Sequence, residues 1–244
     1  MSPTDDLVPI LKKLRLSGVL ESLDIRLRQS VDGDLSHIEF LLRLLMDEVE
    51  RREAKQLQLR LSRASFEHAK TLEDFDFRFN PQLPKAKLLD LCTCTFLGTH
   101  TNVLLVGPAG VGKSHIAQSI GHRACMVGHR TLYVTAHHML TALRAARADS
   151  TWERQLLKYT TPDLLIVDDL GLRPLQRDEQ MDLYEVIRQR YERGSTVITS
   201  NRDIPEWYPL FGDDLLASAA MDRLLHHSHV VTLDGRSYRT ATAA

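Results

Sequence analysis

The sequence predicts an α/β domain, a parallel sheet between two layers of helices, preceded by a small all-helical N-terminal domain. Beyond Thr99, short and fully apolar runs alternate with helix-like stretches, which is typical of parallel strands buried on both faces. The first of these runs leads into the glycine-rich segment GPAGVGKS at 107–114, which matches the phosphate-loop pattern. Before residue 70, leucines recur at helical spacing instead.

The N-terminal part is predicted to hold two or three helices. Two apolar stripes at helical spacing support them, namely Leu7, Leu11 and Leu14, then Ile38, Leu41, Leu42, Leu45 and Val49. The segment between them has turn chemistry, and Asp34 or Ser36 is the expected N-cap. Around 68–87 the helical period is lost, and Pro81 and Pro84 prevent a helix from continuing. We therefore expect a helical domain at 1–70 and a sheet-containing domain at 71–244.

Five strands are predicted in the second domain, each a short apolar run. They are TNVLLVG, TLYVT, DLLIVDDL, STVITSN and HVVTLDG. Helix-like stretches separate or follow them: SHIAQSIGHRACMVG, AHHMLTALRAA, TWERQLLKY, RDEQMDLYEVIRQRYERG and LLASAAMDRLLHH. This alternation indicates crossover connections and hence a parallel sheet.

Composition narrows the class of protein. The chain has 244 residues, of which 43% are hydrophobic and 26% charged, as in ordinary globular proteins. Its three cysteines form no CxxC pair and its N-terminus does not resemble a signal peptide, so we expect a reducing, cytoplasmic setting. The longest apolar runs are shorter than the roughly 20 residues of a membrane helix, so no membrane contact is expected.

Charge is distributed unevenly, although the net charge is only -1. Residues 31–50 carry one arginine against six acids. In residues 51–70 the sign reverses, with six lysines and arginines against two acids. A solvated, charged helix face is one explanation of the basic stretch and a binding surface for phosphate is the other.

The segment at 107–114 is predicted to bind the phosphates of ATP. It matches GxxxxGK[ST] in full and lies between a predicted strand and a predicted helix. Glycines let the backbone turn so that several N–H groups face one anion, and the next helix presents its positive end. Lys113 would neutralise the β- and γ-phosphates and the Ser114 hydroxyl would ligate Mg²⁺. The predicted loop residues are Gly107, Pro108, Ala109, Gly110, Val111, Gly112, Lys113 and Ser114.

Two adjacent acids end the third predicted strand, at the edge of the sheet where ligands bind in open parallel sheets. Asp168 suits the Mg²⁺ shell, and Asp169 could polarise the attacking water as a general base. Asn201 ends the fourth predicted strand, where its amide could hold that water or contact the γ-phosphate. Asparagine after a strand is more often a turn residue, so this role depends on the resemblance described next.

Several segments, in this order and spacing, resemble one family: KTLEDFDF, GPAGVGKSHIAQSIG, LLIVDDLG, QRYERGSTVITSN, EWYPLFGDD, AAMDRLLHH and GRSYR. Over most of its length the chain is similar to the IstB-type transposition helper ATPases, which are relatives of the helicase loader DnaC within the AAA+ class. The phosphate loop alone would specify only a P-loop NTPase. The combination of DRLLHH with GRSYR favours the IstB-type family over other P-loop NTPases.

The resemblance implies an AAA+ ATPase domain with ATP bound at the interfaces of a self-assembling ring or filament. Arg223 matches the position from which one subunit reaches the γ-phosphate of the next, a role suited to a permanently charged guanidinium. An ion pair with Asp213 or Asp222 is the structural alternative. Arg239 matches a further basic residue that relatives carry near the nucleotide.

The resemblance also implies a function, which is to assemble on DNA and to assist or regulate an insertion-sequence transposase. DNA binding would be nonspecific and salt-sensitive. Its best candidates are the cations of the basic stretch: Arg51, Arg52, Lys55, Arg60 and Arg63. Asp169 stands where AAA+ proteins usually have glutamate, so we expect slow ATP hydrolysis that DNA or assembly stimulates.

Two other functions compete with this one. A DnaC-like helicase loader acting in replication would use the N-terminal helices to bind protein instead of DNA. A small-molecule kinase also uses a phosphate loop, but the tandem acids and the strand-ending asparagine argue against it.

Histidines cluster at 137–138 and 226–229, yet no cysteine or carboxylate lies beside them at a usual zinc spacing. Packing or a helix C-terminal charge is therefore the expected use of these histidines.

Overall fold

A computed structural model describes residues 3–33, 35–68 and 70–241, without the side chains of 3–5, 32, 239 and 241. The chain divides into two compact units, Met1–Leu59 and Arg60–Ala244. The division lies inside the long helix His37–Ala64, so residues 60–64 of that helix belong to the second unit. The functional boundary near residue 70 stays a prediction.

The first unit is helical, as predicted. It contains α1 (Pro3–Lys13), α2 (Ser17–Asp32) and most of α3 (His37–Ala64). A small apolar core holds them together, formed by Leu11, Val19, Leu23 and Leu44. The stripe that predicted α3 is not part of this core, because Ile38, Leu41, Leu42, Leu45 and Val49 are exposed. Helical spacing therefore identified the helix but not its buried face.

Polar contacts fix the ends of these helices. The Ser36 hydroxyl accepts from the Glu39 N–H at 3.2 Å, and the Glu39 carboxylate accepts from the Ser36 N–H at 2.9 Å, so Ser36 caps α3 in a capping box. Asp34, the other predicted cap, lies outside the described residues. At the start of α2, buried Glu48 accepts the N–H of Gly18 at 2.5 Å, which satisfies a donor that has no partner within its own helix.

The second unit is a parallel sheet with helices on both faces, and each predicted strand forms. The strands are β1 (Asn102–Val106), β2 (Thr131–Thr135), β3 (Leu164–Leu170), β4 (Ser195–Ser200) and β5 (Ser228–Thr232). Their order is β2-β3-β4-β1-β5, and every pair is parallel. Strands β1 to β4 are almost entirely buried, which explains their mainly apolar character. The edge strand β5 is more open, with His229, Val230 and Thr232 exposed.

Helices cover the sheet and connect its strands. They are α4 (Lys85–Leu91), α5 (Lys113–Met126), α6 (Ala136–Ala148), α7 (Trp152–Thr160), α8 (Arg177–Arg190), α9 (Asp214–Leu225) and α10 (Tyr238–Ala241), with 3-10 helices at Thr95–Thr99 and Ile204–Phe211. One core layer contains Ile116 of α5 and Ile166 of β3. The opposite layer contains Leu140 of α6 and Val167 of β3. Successive residues of β3 thus face opposite layers, as the pleat requires.

Strand order determines which loops meet. β4 lies between β3 and β1, so the carboxyl ends of these three strands are adjacent. The phosphate loop follows β1, the tandem acids end β3 and Asn201 follows β4. In the part of the chain that is described, no helix has the length and apolar character that crossing a bilayer requires.

Candidate functional site

A cavity of about 460 Å³ lies at the carboxyl edge of the sheet. The predicted residues that line it are Ala109, Gly110, Val111, Gly112, Lys113, Ser114, Asp169 and Asn201. Residues from the segment 70–83, His115, Leu172 and Tyr238 complete the wall. The structure therefore brings most of the predicted site residues together around one space.

The phosphate loop is shaped by glycine. Gly112 has a φ of 105°, and a Cβ there would lie 2.5 Å from the Phe75 ring, so only glycine fits this turn without strain. Lys113 begins α5, and its buried ammonium donates to the carbonyl oxygens of Gly107 at 2.8 Å and Pro108 at 2.7 Å. The loop thus holds a cation inside its curve, at the N-terminus of a helix.

A β-bulge directs Asp169 into the cavity. Regular alternation would turn Asp169 toward the layer that contains Val167, away from the phosphate loop. Instead, the register of β3 with β4 shifts between Val167 and Leu170, and Asp169 has a left-handed φ of 57°. The bulge changes the alternation, since Leu170 packs in the same layer as Val167. Bulges often re-aim a side chain beside a functional site.

Asp168 is 3% exposed, and it is not one of the residues that line the cavity. One carboxylate oxygen accepts from the Tyr133 hydroxyl at 2.6 Å, and the other accepts from the Thr199 hydroxyl. Burial, together with the bond to Asp168, raises the pKa of Tyr133, so its proton stays in place. Each carboxylate oxygen has a second lone pair, and Asp168 can still accept another donor or a cation.

Thr199 connects the two acids. Its hydroxyl donates to Asp168 and accepts from the Asp169 backbone N–H at 2.9 Å. Tyr133 and Thr199 are functional candidates that sequence reasoning missed. Each lies on a strand next to β3, and that adjacency is known only once the strand order is known.

An aromatic wall of the cavity was also missed. Phe75, Phe79, Leu83 and Tyr238 line it, and the Phe79 and Tyr238 rings meet edge to face with centroids 5.0 Å apart. Apolar rings can enclose a flat heterocyclic base. The available signal was the alternation of phenylalanines at 75–79, which begins inside the KTLEDFDF segment that resembles the family.

The C-terminal segment closes this wall. The Asn80 amide donates to the Arg236 carbonyl and accepts the Arg236 N–H, both at 3.0 Å. The Tyr238 N–H donates to the Gly110 carbonyl at 3.0 Å. The backbone of Arg239 follows in α10, but its side chain lies outside the described residues, so its predicted role stays a prediction.

Arg223 does not line the cavity that contains Lys113. It lines a separate cavity of about 230 Å³ with Asn102, the first residue of β1. Its guanidinium donates to the Ala219 carbonyl at 2.7 Å and lies 5.8 Å and 5.9 Å from the ring centroids of Tyr184 and Tyr191. Asp213 instead caps α9 by accepting the Leu216 N–H at 2.8 Å.

Several of the predicted DNA-binding cations hold contacts of their own. In the first unit, Arg51 pairs with Glu21 at 2.8 Å and Arg52 with Glu48 at 2.6 Å. In the second unit, Arg60 donates to the Cys125 carbonyl at 2.8 Å. The two ion pairs are what a solvated charged face would show. Lys55 is exposed.

A basic groove of about 420 Å³ lies elsewhere on the second unit. Its cationic lining is Arg60, Arg63, Arg130, Arg154 and Lys158. Leu132 and Leu157 contribute apolar surface. Sequence reasoning found the first two of these cations and missed the other three, because Arg130 immediately precedes β2 and the other two lie in α7, far along the chain.

Comparison with known proteins gives consistent results. A family model described as IstB-like ATP binding protein matches residues 9–244. An insertion-sequence ATP-binding protein of Mycobacterium tuberculosis is 44% identical over 94% of this chain and 92% of its own length. The ATP-binding protein of insertion sequence IS21 from Pseudomonas aeruginosa is 35% identical over 96% of this chain and 88% of its own length.

Solved structures are similar in fold. The DnaC helicase loader matches with a TM-score of 0.54 and 18% identity, over 61% of this chain and 87% of that one. DnaI matches with a TM-score of 0.59 and 19% identity, over 68% of this chain and 92% of that one. These matches confirm the predicted AAA+ type of fold.

Proposed function

Because the chain belongs to the IstB-like ATP binding protein family, we propose that it is an ATPase that binds ATP with Mg²⁺, assembles on DNA and assists the transposase of an insertion sequence. One observation carries the proposal: the cavity in which the phosphate loop, Asp169 and Asn201 meet. Three neighbouring strands supply these parts. A cavity built in this way suits a nucleoside triphosphate and a water beside its last phosphate.

The phosphate loop would hold the triphosphate through its backbone N–H groups and Lys113. The position of the ammonium inside the loop supports this role. The donor set also fits Mg²⁺, which prefers oxygen ligands, since Ser114 lines the cavity and Asp168 lies near the carboxyl end of β3. When bound, Mg²⁺ supplies positive charge to the β- and γ-phosphate oxygens.

Asp169 and Asn201 would act on the water. Both line the cavity, and the bulge in β3 supports a specific use for Asp169, because regular pleating would turn it away. Asp169 would accept a proton from the attacking water, while the Asn201 amide orients that water or the γ-phosphate. The aromatic wall of Phe75, Phe79 and Tyr238 would receive the base.

Arg223 would complete the site of a neighbouring copy. It lies with Asn102 at the amino end of β1, whereas the phosphate loop follows the carboxyl end. A strand of five residues separates those ends by roughly 16 Å. Arg223 therefore does not reach its own phosphate loop, which supports an assembly with ATP between subunits. A ring and an open filament both meet this requirement.

DNA would contact the basic groove, not the whole basic stretch of α3. Arg60, Arg63, Arg154 and Lys158 can neutralise several phosphates around one groove without reading sequence. Arg130 also lines the groove but pairs with Asp163 at 2.7 Å. Arg60 and Arg63 belong both to the predicted stretch and to the groove. Arg51 and Arg52 contribute less in this proposal, because acids already pair with them.

Assistance to a transposase is favoured over helicase loading by the comparisons. The curated relatives at 35% and 44% identity are named for insertion sequences. The matched DnaC and DnaI structures are 18% and 19% identical, and this likeness supports the fold alone.

The test combines the full chain, ATP, duplex DNA and the transposase encoded in the same insertion sequence. We expect calorimetric uptake of ATP, slow phosphate release that DNA accelerates, and DNA-dependent assemblies visible by electron microscopy with a nonhydrolysable analogue. Lys113→Ala should lose ATP uptake, and Lys12→Ala, at an exposed lysine, should keep it. Full ATP uptake by Lys113→Ala, or strand transfer by the transposase that is the same with and without this protein, would contradict the proposal.

A further inference from the structure

The turn after α8 and the end of α9 bring three exposed metal-ligating side chains together. They are Glu192, His226 and His227. One ligand atom from each lies within 4.8 Å of the others. The histidines were expected to serve packing or a helix C-terminal charge, because no cysteine or carboxylate lies beside them at a usual zinc spacing, but the fold supplies Glu192 from another element. From this geometry we infer that the three residues bind a divalent transition-metal ion of the Zn²⁺ class.

The ligand types select that class of ion. Imidazole nitrogens favour Zn²⁺ and its transition-metal neighbours, whereas Mg²⁺ and Ca²⁺ prefer oxygen. Three protein ligands with a water in the fourth position are a common Zn²⁺ arrangement. With bonds near 2.1 Å, tetrahedral ligands lie roughly 3.4 Å apart. All three side chains are exposed and can close that gap by rotation.

Tyr191 provides an outer contact that orients one ligand. Its hydroxyl lies 2.8 Å from Nδ1 of His226. When the Nδ1–H of His226 donates to this hydroxyl, Nε2 keeps its lone pair for the metal. Metal-bound histidines usually donate their other ring N–H in this way, and losing that partner typically weakens metal binding by about 10- to 100-fold.

The carboxylate side of the site is held by a rigid turn. Arg190, 2% exposed, donates to the carbonyl oxygens of Pro162 at 2.8 Å and Ser195 at 2.5 Å. The Arg190 carbonyl in turn accepts the N–H groups of Arg193 and Gly194 at 2.9 Å and 3.1 Å. Glu192 lies inside this turn, so its backbone is fixed before any metal binds.

A metal there would connect α9, which contains Arg223, to the turn after α8, which contacts Arg223 through Tyr191. Tyr191, next to Glu192, lies under the Arg223 guanidinium, and His226 follows Arg223 by one helical turn. The ion would therefore tie the end of α9 to the turn after α8. It would add stability to the folded chain, because a ligand that binds only the folded state raises the unfolding temperature.

The experiment titrates the full chain with Zn²⁺ in calorimetry, without nucleotide and with excess Mg²⁺ to occupy oxygen-only sites. We expect one Zn²⁺ per chain. Glu192→Gln and His227→Gln should each bind at least about tenfold more weakly. His138→Gln, at an exposed histidine in the other cluster, is the matched control and should bind as the wild type does.

Two further readouts separate metal binding from a change in folding. Zn²⁺ should raise the unfolding temperature of the wild type and His138→Gln but not of the double variant Glu192→Gln/His227→Gln. Tyr191→Phe keeps the ring beside Arg223, and it should weaken binding and alter the visible spectrum of bound Co²⁺. No Zn²⁺ uptake by the wild type, or unchanged affinity in both single site variants, would overturn the inference.

Discussion

Asp169 and Asp168 are neighbours in sequence but occupy different environments. Asp169 reaches the cavity through a left-handed residue conformation, which is strained for a non-glycine residue and costs roughly 1–3 kcal/mol. Thr199 offsets part of that cost by accepting the Asp169 N–H. Asp168 remains buried between Tyr133 and Thr199. Such strain is typical of functional sites, which favours Asp169 as the group that meets water.

The first prediction concerns Asp169→Asn. We expect this variant to bind ATP with nearly wild-type affinity and to lose at least about 100-fold in phosphate release, because an amide cannot accept the proton. Calorimetry measures the binding and a phosphate-release assay measures turnover. Asp90→Asn, at an exposed acid of α4, is the control and should behave as wild type. Unchanged turnover in Asp169→Asn would remove this residue from catalysis.

At the scale of elements, the five strands could be predicted because a buried parallel strand is apolar on both faces, as Leu164 to Val167 show. The bulge could not, because DLLIVDDL reads as a regular strand and only pairing with β4 reveals the shift. The position of the phosphate loop could be predicted from its spacing, and six of its eight predicted residues line the cavity. The aromatic wall was not predicted, because the alternation of phenylalanines at 75–79 does not show that this segment lies beside the phosphate loop.

Helix α8 shows how buried charge stabilises an element. Glu179 is 0% exposed, pairs with Arg173 at 2.7 Å and accepts the Gln176 N–H at 3.0 Å. The hydrogen bond from Arg173 is the main reason that the pKa of Glu179 is lowered to about 2. A carboxyl with a depressed folded-state pKa stabilises the fold above its unfolded pKa, and the contribution is lost as pH falls toward the folded pKa.

The second prediction follows from this sign. Glu179→Gln should lower the free energy of unfolding by about 2 kcal/mol at pH 7, a figure reduced because Arg173 is partly exposed. The difference from wild type should shrink as pH falls from about 4.5 toward 2. Urea unfolding at several pH values measures it. Glu206→Gln, at an exposed acid, should show no such trend. If the difference in unfolding free energy between Glu179→Gln and wild type does not change with pH, the Glu179 carboxylate does not stabilise the fold in this way.

The third prediction compares two basic surfaces. The double variant Arg154→Glu/Lys158→Glu in the basic groove should weaken DNA binding. It should also make the fall of log affinity with log salt concentration shallower, reducing the size of the slope by about 2. Arg51→Glu/Arg52→Glu should change both much less, because those cations pair with Glu21 and Glu48. Fluorescence anisotropy with duplex DNA over a salt series measures both quantities. If Arg51→Glu/Arg52→Glu weakens DNA binding more than Arg154→Glu/Lys158→Glu does, DNA contacts α3 and not the basic groove.

At the scale of the whole molecule, distance along the chain limits what sequence can show. Glu192 and His226 are 34 positions apart, as their residue numbers give, yet their ligand atoms are neighbours. The basic groove likewise joins α3 to β2 and α7. The resemblance to a family indicated the role of Arg223, while its position at the amino end of the sheet supplies a physical reason for that role.

The last prediction uses that position. Arg223→Ala keeps its own phosphate loop and lacks the cation for its neighbour, whereas Lys113→Ala keeps Arg223 and cannot hold ATP. Each variant alone should lose at least about 100-fold in turnover. Mixed in equal amounts, they create interfaces where an intact Lys113 faces an intact Arg223, and random assembly should restore roughly a quarter of wild-type turnover.

The control mixes Lys113→Ala with Asp169→Asn. Lys113 and Asp169 line one cavity of one chain, so no arrangement of these two variants yields a complete site, and turnover should stay low. Sedimentation of labelled subunits verifies that both mixtures assemble. If the Arg223 mixture assembles without recovery, or if both mixtures recover equally, Arg223 does not act across the interface. Recovery in the first mixture alone requires a site shared between two copies, because neither chain then contributes a complete one.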